Sequence, residues 1–482
     1  MIDFRPILLA LGLLLAVLGG AMWLPALADA IAGDADWKVF LVSSLVTTFT
    51  GIALALANRG PATALTIRQA FILTTAAWLV LAAFAALPFT LSRHGLDFTD
   101  AFFEAMSGIT TTGSTVISGL DQLSPGILLW RALLQWLGGI GIIVMAIAIL
   151  PMLGVGGMQL FRMDSSDPSE KVLPRTAQIA AATATIYLAL SVVCVAALWA
   201  AGMRPFEALA HAMTTVATGG FSTSDQSVGH FSSAAVDWIT TLFMILGSLP
   251  FVLYLQAVRG APLKLWRDSQ VRWFFAILAV SVLVMALRLV LDGTAGPQAA
   301  LRYAAFNVVS IITGTGFSTA NYASWGGFAM VAFFFFMFIG GCAGSTSCGI
   351  KIFRYQVLVS TARVQMRRLL QPHGVFIARF NDKPIPESVT NAVLSFIFLF
   401  VLIFATLALL LMGLGLDFVT SFSGAATAIA NVGPGLGEVI GPEGTFQPLP
   451  AAAKWLLSAA MLLGRLEILT VLILFTPGFW RP

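Results

Sequence analysis

Uncharged runs of 20 or more residues recur along the whole chain, and they constrain its fold more than any other feature. They lie at 6–28, 39–58, 69–92, 132–161, 176–203, 238–258, 303–350 and 388–416, and two interrupted candidates lie at 273–291 and 455–480. A helix needs about 20 mostly apolar residues to cross a bilayer. The first run is too long for a signal-peptide core, so it is expected to be a true span. The pattern predicts an all-α polytopic membrane protein with about ten spans.

Other classes of protein fit this sequence less well. Only 10% of its 482 residues are charged, far below the share usual in soluble domains. An outer-membrane barrel requires short strands of alternating hydrophobicity, not long continuous apolar runs. Three cysteines, Cys194, Cys342 and Cys348, lie inside apolar stretches without metal-ligand spacing, so they are interpreted as small buried side chains.

The charges divide unevenly between the two sides of the predicted topology. With a cytoplasmic N-terminus, 18 Lys and Arg residues fall inside and seven outside, as the positive-inside rule requires. Acidic residues show the opposite bias, with 14 outside and seven inside, which gives net charges of −7 and +11. An acidic outer face concentrates cations at a pore mouth. Retention of basic residues during insertion is the alternative explanation, and it accounts for the inner +11 but less directly for the outer −7. Topology also explains the net charge of +4 better than a nucleic-acid surface does.

A fourfold internal repeat is the most informative feature. Four polar turns read TTTGST at 110–115, TGGFST at 218–223, TGTGFST at 313–319 and NVGPG at 431–435, and each follows a short apolar piece. They align on Gly113, Gly220, Gly316 and Gly433. The pieces at 98–110, 206–217, 299–312 and 418–430 are too short to span, since 13 helical residues rise about 20 Å. We therefore expect four re-entrant loops.

Such loops are suited to binding cations. Non-helical backbone at membrane depth is tolerated where it lines an aqueous cavity, and rings of carbonyls can replace a cation's hydration shell. Each short helix also ends at its turn, where its C-terminus carries partial negative charge. The fourth turn departs most from the others, so the expected pore has pseudo-fourfold symmetry.

On these residues the chain resembles the Trk/Ktr/HKT superfamily of potassium transporters, and most closely its TrkH branch. The resemblance covers nearly the whole chain: two leading spans and four pore-loop repeats around a central pore. The implied divisions are 1–68 for the leading spans and 69–175, 176–272, 273–387 and 388–482 for the repeats.

The resemblance implies potassium uptake across the cytoplasmic membrane, through a selectivity filter that binds potassium as substrate. The residues that match the filter are Thr111, Thr112, Gly113, Thr218, Gly219, Gly220, Gly314, Thr315, Gly316, Asn431, Val432 and Gly433. In the HKT branch, serine in place of the first filter glycine accompanies sodium transport, and Gly113 here is glycine. No catalytic His, Asp or Cys cluster indicates an enzyme.

The run GGCAGSTSCG at 340–349 follows the third turn. Glycine and small polar residues weaken helices, so a break is expected there. Close helix packing through small residues would give a similar composition. The resemblance implies an intramembrane loop that obstructs the pore, and the gate residues it marks are Gly340, Gly341, Gly344, Ser345, Thr346, Ser347 and Gly349.

Arg465 lies in the last predicted span, where a charge costs at least about 2.5 kcal/mol without a partner. Glu467 is two residues away and points to another face, so carbonyls of the gating loop or pore water are better partners. A buried structural ion pair is the alternative. The resemblance implies a place in the permeation pathway as an electrostatic barrier.

The segment 351–387 carries seven basic and two acidic residues, and it is suited to anionic lipids, to solvent or to a docked partner. The chain has no phosphate-binding motif of its own and no expected cofactor. The resemblance implies a homodimer in the bacterial inner membrane, controlled by a separate cytosolic, TrkA-like ring that binds nucleotides.

A sodium- or proton-coupled secondary transporter is the alternative function. Such carriers typically have inverted repeats and ionisable groups at a midplane site. Here two spans separate each loop from the next, so the repeats share one orientation, and the loops are uncharged. A pore is therefore favoured.

Overall fold

The computed structural model describes residues 2–60, 65–148, 157 and 176–481 of a helical membrane protein. The only sheet in this part of the chain is a two-stranded antiparallel hairpin, Arg379–Phe380 with Lys383–Pro384. The α-helices are Arg5–Ala21, Trp23–Ala32, Trp37–Ala57, Ile67–Ala85, Leu87–Leu91, Phe98–Ile109, Pro125–Ala148, Thr176–Ala200, Pro205–Val216, Ala234–Gly247, Phe251–Val258, Leu263–Arg267, Ser269–Leu291, Pro297–Ile312, Gly327–Phe336, Ile352–Leu370, Glu387–Gly413, Phe418–Ala430, Ala451–Arg465, Leu469–Leu472 and Pro477–Trp480. The predicted all-α polytopic fold is confirmed.

The two leading spans pack closely against each other through small residues. A Cβ on Gly12 would lie 2.6 Å from the Gly51 carbonyl oxygen, and a Cβ on Gly51 would lie 2.6 Å from the Gly12 carbonyl oxygen. Small residues allow helices to approach in a membrane, where apolar burial alone does not drive association. This hairpin packs against Ile67–Ala85 and so joins the leading unit to the first repeat.

Four short helices, named pore helices 1 to 4, lie where the sequence places the short apolar pieces. They are Phe98–Ile109, Pro205–Val216, Pro297–Ile312 and Phe418–Ala430. Helices 1 and 4 begin at aspartate caps: Asp97 accepts the Asp100 N–H at 2.8 Å, and Asp417 accepts the Thr420 N–H at 3.0 Å. Helices 2 and 3 begin at proline, whose missing N–H is not needed in the first turn.

The full-length spans surround these helices. Within the described residues, seven helices are long and apolar enough to cross a membrane, or nine if each bent pair is one span. The pairs are Ala234–Gly247 with Phe251–Val258, bent by 94°, and Ala451–Arg465 with Leu469–Phe475, bent by 106°. The second bend follows Arg465, where Glu467 and Ile468 have positive φ values of 60° and 41°.

The span predicted in the second half of the 303–350 run is not one continuous helix. Helix Gly327–Phe336 has only 10 residues. Residues 337–351 then form a non-helical segment, named the 337–351 loop. The break begins before the glycine-rich run because Ile339 pairs with Ile350 in a parallel bridge, which closes the loop at its base.

Residues 61–64, 149–156 and 158–175 lie outside the described residues, and they include the end of the 132–161 run. The segment 351–387 is described, and it forms helix Ile352–Leu370 followed by the small hairpin.

Candidate functional site

All four pore helices end in the same backbone turn. The residue two positions before each aligned glycine has a positive φ: Thr111 at 52°, Thr218 at 50°, Gly314 at 73° and Asn431 at 52°. The following residue donates its N–H to the carbonyl five positions earlier, in the pairs Thr112–Ser107, Gly219–Thr214, Thr315–Ser310 and Val432–Thr427, at 2.8 to 3.0 Å. This bond is the six-to-one closure of a Schellman turn. Three turns hold a non-glycine residue in a conformation that costs roughly 1–2 kcal/mol.

These turns, named glycine loops 1 to 4, are residues 110–114, 217–221, 313–317 and 430–434, and they close a ring in chain order. A Cβ on each aligned glycine would approach a carbonyl oxygen of the next loop. The distance from this added Cβ to the carbonyl oxygen is 2.2 Å for Gly113 and Gly219, 1.9 Å for Gly220 and Thr315, 2.2 Å for Gly316 and Val432, and 2.9 Å for Gly433 and Thr112. Real Cβ atoms essentially never come within 3.0 Å. Glycine is therefore required at all four ring positions.

The ring brings together every one of the twelve sequence-predicted filter residues. Four carbonyl oxygens lie at the contacts between loops, and four helix C-termini end there with partial negative charge. The loops contain no Lys or Arg. Carbonyl oxygens in this number can take the place of a cation's water shell, so the chemistry of the ring suits an alkali cation and not an anion.

The ring is fourfold in its backbone but closer to twofold in its side chains. Loops 1 and 3, which lie opposite each other, each contain a hydroxyl pair: Thr110 with Thr112 at 2.7 Å and Thr313 with Thr315 at 2.8 Å. Loops 2 and 4 have alanine at the first of these positions. The predicted departure of loop 4 is visible in Asn431, whose amide donates to the Thr112 hydroxyl at 2.9 Å.

A cavity of ≈ 310 Å³ adjoins the ring on the side of the residues that follow the ring glycines, and residues from all four loop regions line it. Its wall includes two carboxylates, Asp225 and Glu443, and the guanidinium of Arg131. Asp225 accepts the N–H groups of Gly119 and Leu120 at 2.9 and 3.1 Å, which fixes its position. Carboxylates around an entrance favour cations over anions.

Polar side chains nine positions before the ring glycines support three of the loops from behind. Glu104 accepts the Val116 N–H at 2.9 Å, His211 Nε2 contacts the Ser222 hydroxyl at 2.9 Å, and Asn307 Oδ1 accepts the Thr319 N–H at 3.2 Å. Loop 4 has Gly424 at this register and uses the adjacent Ser423, which accepts the Leu436 N–H at 2.9 Å.

Sequence reasoning missed these supports. In the sequence Glu104 and Arg131 are only two of the charges counted on the outer side, and His211 lies in no catalytic or metal-binding pattern. In the structure Arg131 and Glu104 form a buried ion pair at 2.8 Å, with side chains at most 1% exposed. Glu104, His211 and Asn307 each lie nine positions before a ring glycine, and this shared spacing was the available signal. It was not recognised because the three side chains differ in chemistry.

The 337–351 loop lies directly against the ring on the side where the pore helices end. Ser347 donates its hydroxyl to the Thr313 carbonyl at 2.6 Å, and Thr346 donates to the Val216 and Gly247 carbonyls at 3.1 and 2.8 Å. The Cys348 sulfur lies 3.8 Å from the Thr111 hydroxyl. The loop therefore covers the ends of three pore helices below the ring.

The other predicted gate residues hold the loop in shape. Gly344 and Gly349 have φ values of 75° and 72°, where a Cβ would be strained. The Gly340 and Gly341 N–H groups donate to the Ile350 carbonyl at 3.0 Å and to the Ser347 hydroxyl at 2.8 Å. Ser345 donates to the Cys342 carbonyl at 2.6 Å, within the loop.

Arg465 reaches this loop from the bend in the last span. It is 3% exposed, donates to the Thr346 carbonyl at 3.2 Å and to the Gly138 carbonyl at 3.1 Å, and contacts the Cys348 sulfur. The Thr346 carbonyl is a loop carbonyl of the kind expected from the sequence, whereas Gly138 belongs to helix Pro125–Ala148. Glu467, which was not expected to face Arg465, pairs instead with Arg354.

Two basic residues counted in the cytoplasmic segment are buried in the protein. Lys351 donates to the Ser347 carbonyl, and Arg354 pairs with Glu467 and lies 3.7 Å from the Phe396 ring centroid. Only the remaining five basic residues of 351–387 are placed to meet lipid, solvent or a partner. Lys351, Arg465 and Glu467 are among the residues that line a small cavity of ≈ 20 Å³ beside the 337–351 loop.

Comparison with known proteins places this geometry among transporters. The TrkH family profile, described as a cation transport protein, matches residues 37–480. The chain is 48% identical over 480 residues to the Trk system potassium uptake protein TrkI of Halomonas elongata, covering 99% of this chain and 97% of that one. It is 39% identical to the Escherichia coli protein TrkH, covering 99% and 100%.

A solved structure has the same fold. The crystal structure of the potassium transporter TrkH from Vibrio parahaemolyticus superposes with a TM-score of 0.92 at 40% identity, and it covers 100% of both chains.

Proposed function

The chain belongs to the TrkH family of cation transport proteins, and from that premise we propose that it takes up potassium through the glycine-loop ring, which acts as a selectivity filter. The relatives named above are potassium uptake proteins and transporters, not enzymes. Potassium is the transported substrate, and it binds to the backbone carbonyls of the twelve loop residues.

The closed ring is the observation that carries this proposal. A Cβ on any of its four glycines would lie only 1.9 to 2.9 Å from a carbonyl oxygen of the next loop, so these close backbone contacts constrain the spacing of the carbonyls. A fixed, uncharged carbonyl ring gains selectivity because it matches the dehydrated radius or field strength of one cation.

The 337–351 loop and Arg465 form the gate. Ser347 and Thr346 fasten the loop below the ring, and Arg465 fastens it to the last span while adding a positive charge on the pathway. A fixed cation there opposes the entry of potassium by direct repulsion. Opening therefore requires both the loop and Arg465 to move.

The protein operates as a homodimer in the bacterial cytoplasmic membrane, with its N-terminus in the cytoplasm. The bias of Lys and Arg supports this orientation. A cytosolic TrkA-like ring that binds nucleotides regulates the gate, and the helix Ile352–Leu370 connects the cytoplasmic side directly to the 337–351 loop. The four repeats have the boundaries 69–175, 176–272, 273–387 and 388–482.

Ion flux into proteoliposomes tests the filter. Potassium, rubidium, sodium and lithium are compared in the purified protein and in Gly113→Ser, because a side chain at Gly113 would meet the Gly219 carbonyl oxygen at 2.2 Å. We expect potassium and rubidium to pass in preference to sodium and lithium in the parent, and this preference to fall in the variant. Equal permeability of the parent to sodium and potassium would defeat the assignment.

The same vesicles separate a pore from a coupled carrier. A pore passes potassium down its own gradient when the sodium and proton gradients are clamped to zero. Potassium movement that stops under this clamp would favour the sodium- or proton-coupled transporter instead.

A further inference from the structure

Two polar side chains, one helical turn apart, project from the helix Pro125–Ala148 toward the ring. Arg131 and Gln135 are separated by four residues, so they lie on the same face of this helix. Both are buried, with exposures of 1% and 0%. The helix follows loop 1 in the chain, yet Gln135 and part of Arg131 contact loop 2 and the residue that follows it.

Gln135 both donates a hydrogen bond to loop 2 and accepts one from it. Its Nε2 donates to the Gly219 carbonyl oxygen at 2.6 Å, and its Oε1 accepts the Phe221 N–H at 3.0 Å. Gly219 supplies one of the four carbonyls at the ring contacts, the one that faces Gly113. The amide therefore holds a carbonyl of the ring itself, not only the segment behind it.

Arg131, one helical turn before Gln135, connects the regions of loops 1 and 2. Its Nε donates to Glu104 behind loop 1 at 2.8 Å, and its Nη1 donates to the Ser222 carbonyl after loop 2 at 2.8 Å. The guanidinium also stacks over the Phe221 ring at 4.1 Å. The planar guanidinium is suited to such a tie, because its donors point in fixed directions.

The junction between loops 4 and 1 is made differently. Ser114 donates to the Gly433 carbonyl at 2.6 Å, and Asn431 donates to the Thr112 hydroxyl at 2.9 Å, so these two loops are bonded directly to each other. Asn431 also donates to the Met461 carbonyl of helix Ala451–Arg465 at 2.8 Å. At the junction between loops 1 and 2, an outside helix supplies the ties to loop 2. The position of the Gly219 carbonyl thus depends on a side chain that is not part of the ring.

We propose that Gln135, held in place by the helix that also carries Arg131, is a positioning residue for selectivity: it sets the place of the Gly219 carbonyl and with it the discrimination between potassium and sodium. This inference rests on the proposed filter function. Loss of the amide leaves the Phe221 N–H and the Gly219 carbonyl without this partner, and a buried loop then shifts to satisfy them.

The test compares potassium and sodium flux in proteoliposomes for the parent, Gln135→Leu and Gln135→Glu. The glutamate variant is nearly isosteric and keeps an acceptor for the Phe221 N–H, but it places a carboxylate against the Gly219 carbonyl. For both variants we expect the potassium-to-sodium permeability ratio to fall by about fivefold or more, as loss of one buried hydrogen bond would produce. Size-exclusion profiles and thermal unfolding identify variants that have failed to fold.

Trp136→Phe is the matched control. Trp136 is the next residue on the same helix, and its indole donates to Ser191 at 3.0 Å, away from the loops. This variant loses one partly buried side-chain hydrogen bond of the helix and should keep the parent ratio of potassium to sodium permeability.

Two results would overturn the inference while leaving the filter intact. One is a potassium-selective parent whose folded Gln135 variants keep its ratio within twofold. The other is an equal loss of potassium and sodium flux at an unchanged ratio, which indicates a purely structural role. A parent that passes both ions equally would overturn the proposed function, and this inference with it.

Discussion

The ring and the 337–351 loop lie against each other but are built in opposite ways. The ring repeats one backbone turn four times, and each glycine packs on a carbonyl of its neighbour. The loop occurs in one copy, and the hydroxyls of Thr346 and Ser347 and the guanidinium of Arg465 fasten it to the surrounding helices. Backbone contacts permit one arrangement, whereas side-chain hydrogen bonds exchange partners at a net cost of about 1 kcal/mol each. The ring is therefore suited to fixed geometry, and the loop to movement.

Gly220→Ala should have the largest effect, because it breaks the ring where it is tightest. A Cβ there would lie 1.9 Å from the Thr315 carbonyl oxygen, and the residue has a φ of 80°. We expect potassium flux in proteoliposomes to fall by more than about tenfold, which corresponds to 1.4 kcal/mol or more in the barrier.

Gly202→Ala separates backbone strain from collision. Gly202 belongs to the same repeat and has a φ of 104°, but a Cβ on it would meet nothing within 4 Å. It should retain most of the flux. Equal losses in the two variants would show that conformational strain, and not ring contact, explains the effect.

If the proposed gate is correct, Arg465→Ala should have the opposite effect, because it removes the hydrogen bond to the loop and a positive charge from the proposed pathway. Charged hydrogen bonds contribute about 1.5–3 kcal/mol each, so we expect potassium flux without a regulatory partner to rise by about tenfold. Arg288→Ala is the control, since Arg288 forms a half-exposed ion pair with Asp292 at 2.8 Å in another span. Unchanged or reduced uptake in folded Arg465→Ala would count against the barrier.

Thr346→Val should have a smaller effect in the same direction. The substitution keeps the size of the side chain and removes the hydroxyl that donates to the Val216 and Gly247 carbonyls. With about 1 kcal/mol at stake, the expected rise in flux is about fivefold. Thr406→Val removes a hydroxyl bonded only within its own helix and should leave flux unaltered. A decrease in Thr346→Val would mean that the hydroxyl helps conduction.

The same contrast explains what the sequence could predict. The ring glycines were visible because a repeated backbone requirement leaves the same residue at the same register four times. Helix geometry reduced the set of expected partners for Arg465, because Glu467, two residues away, points to another face of the helix. Glu104 with Arg131, 27 residues apart, and Arg354 with Glu467, 113 residues apart, left no such signal. Unique side-chain contacts depend on how distant segments pack, and one sequence does not encode that as a pattern.

The smallest effect is expected at the outer end of pore helix 4. The Asp417 carboxylate accepts hydrogen bonds from the Thr420 hydroxyl and backbone N–H, and these hold its pKa below the usual value. Replacing an N-cap by alanine costs about 1 kcal/mol, so Asp417→Ala should lower the thermal unfolding temperature at pH 7 and leave the ion ratio unchanged. A changed potassium-to-sodium ratio would show that the cap, and not only the ring contacts, sets the filter.

The contribution of the Asp417 carboxylate to folding stability depends on pH. The folded pKa of Asp417 lies below the unfolded one, so its contribution to stability is present above about pH 4, the ordinary value for aspartate. It is lost as the pH falls through the depressed folded pKa. The difference in unfolding temperature between the parent and Asp417→Ala should therefore shrink below pH 4. Glu438→Ala, which removes an exposed carboxylate from the loop that follows, should show no such convergence. A difference that stays constant with pH would mean that the carboxylate charge does not contribute to the cap.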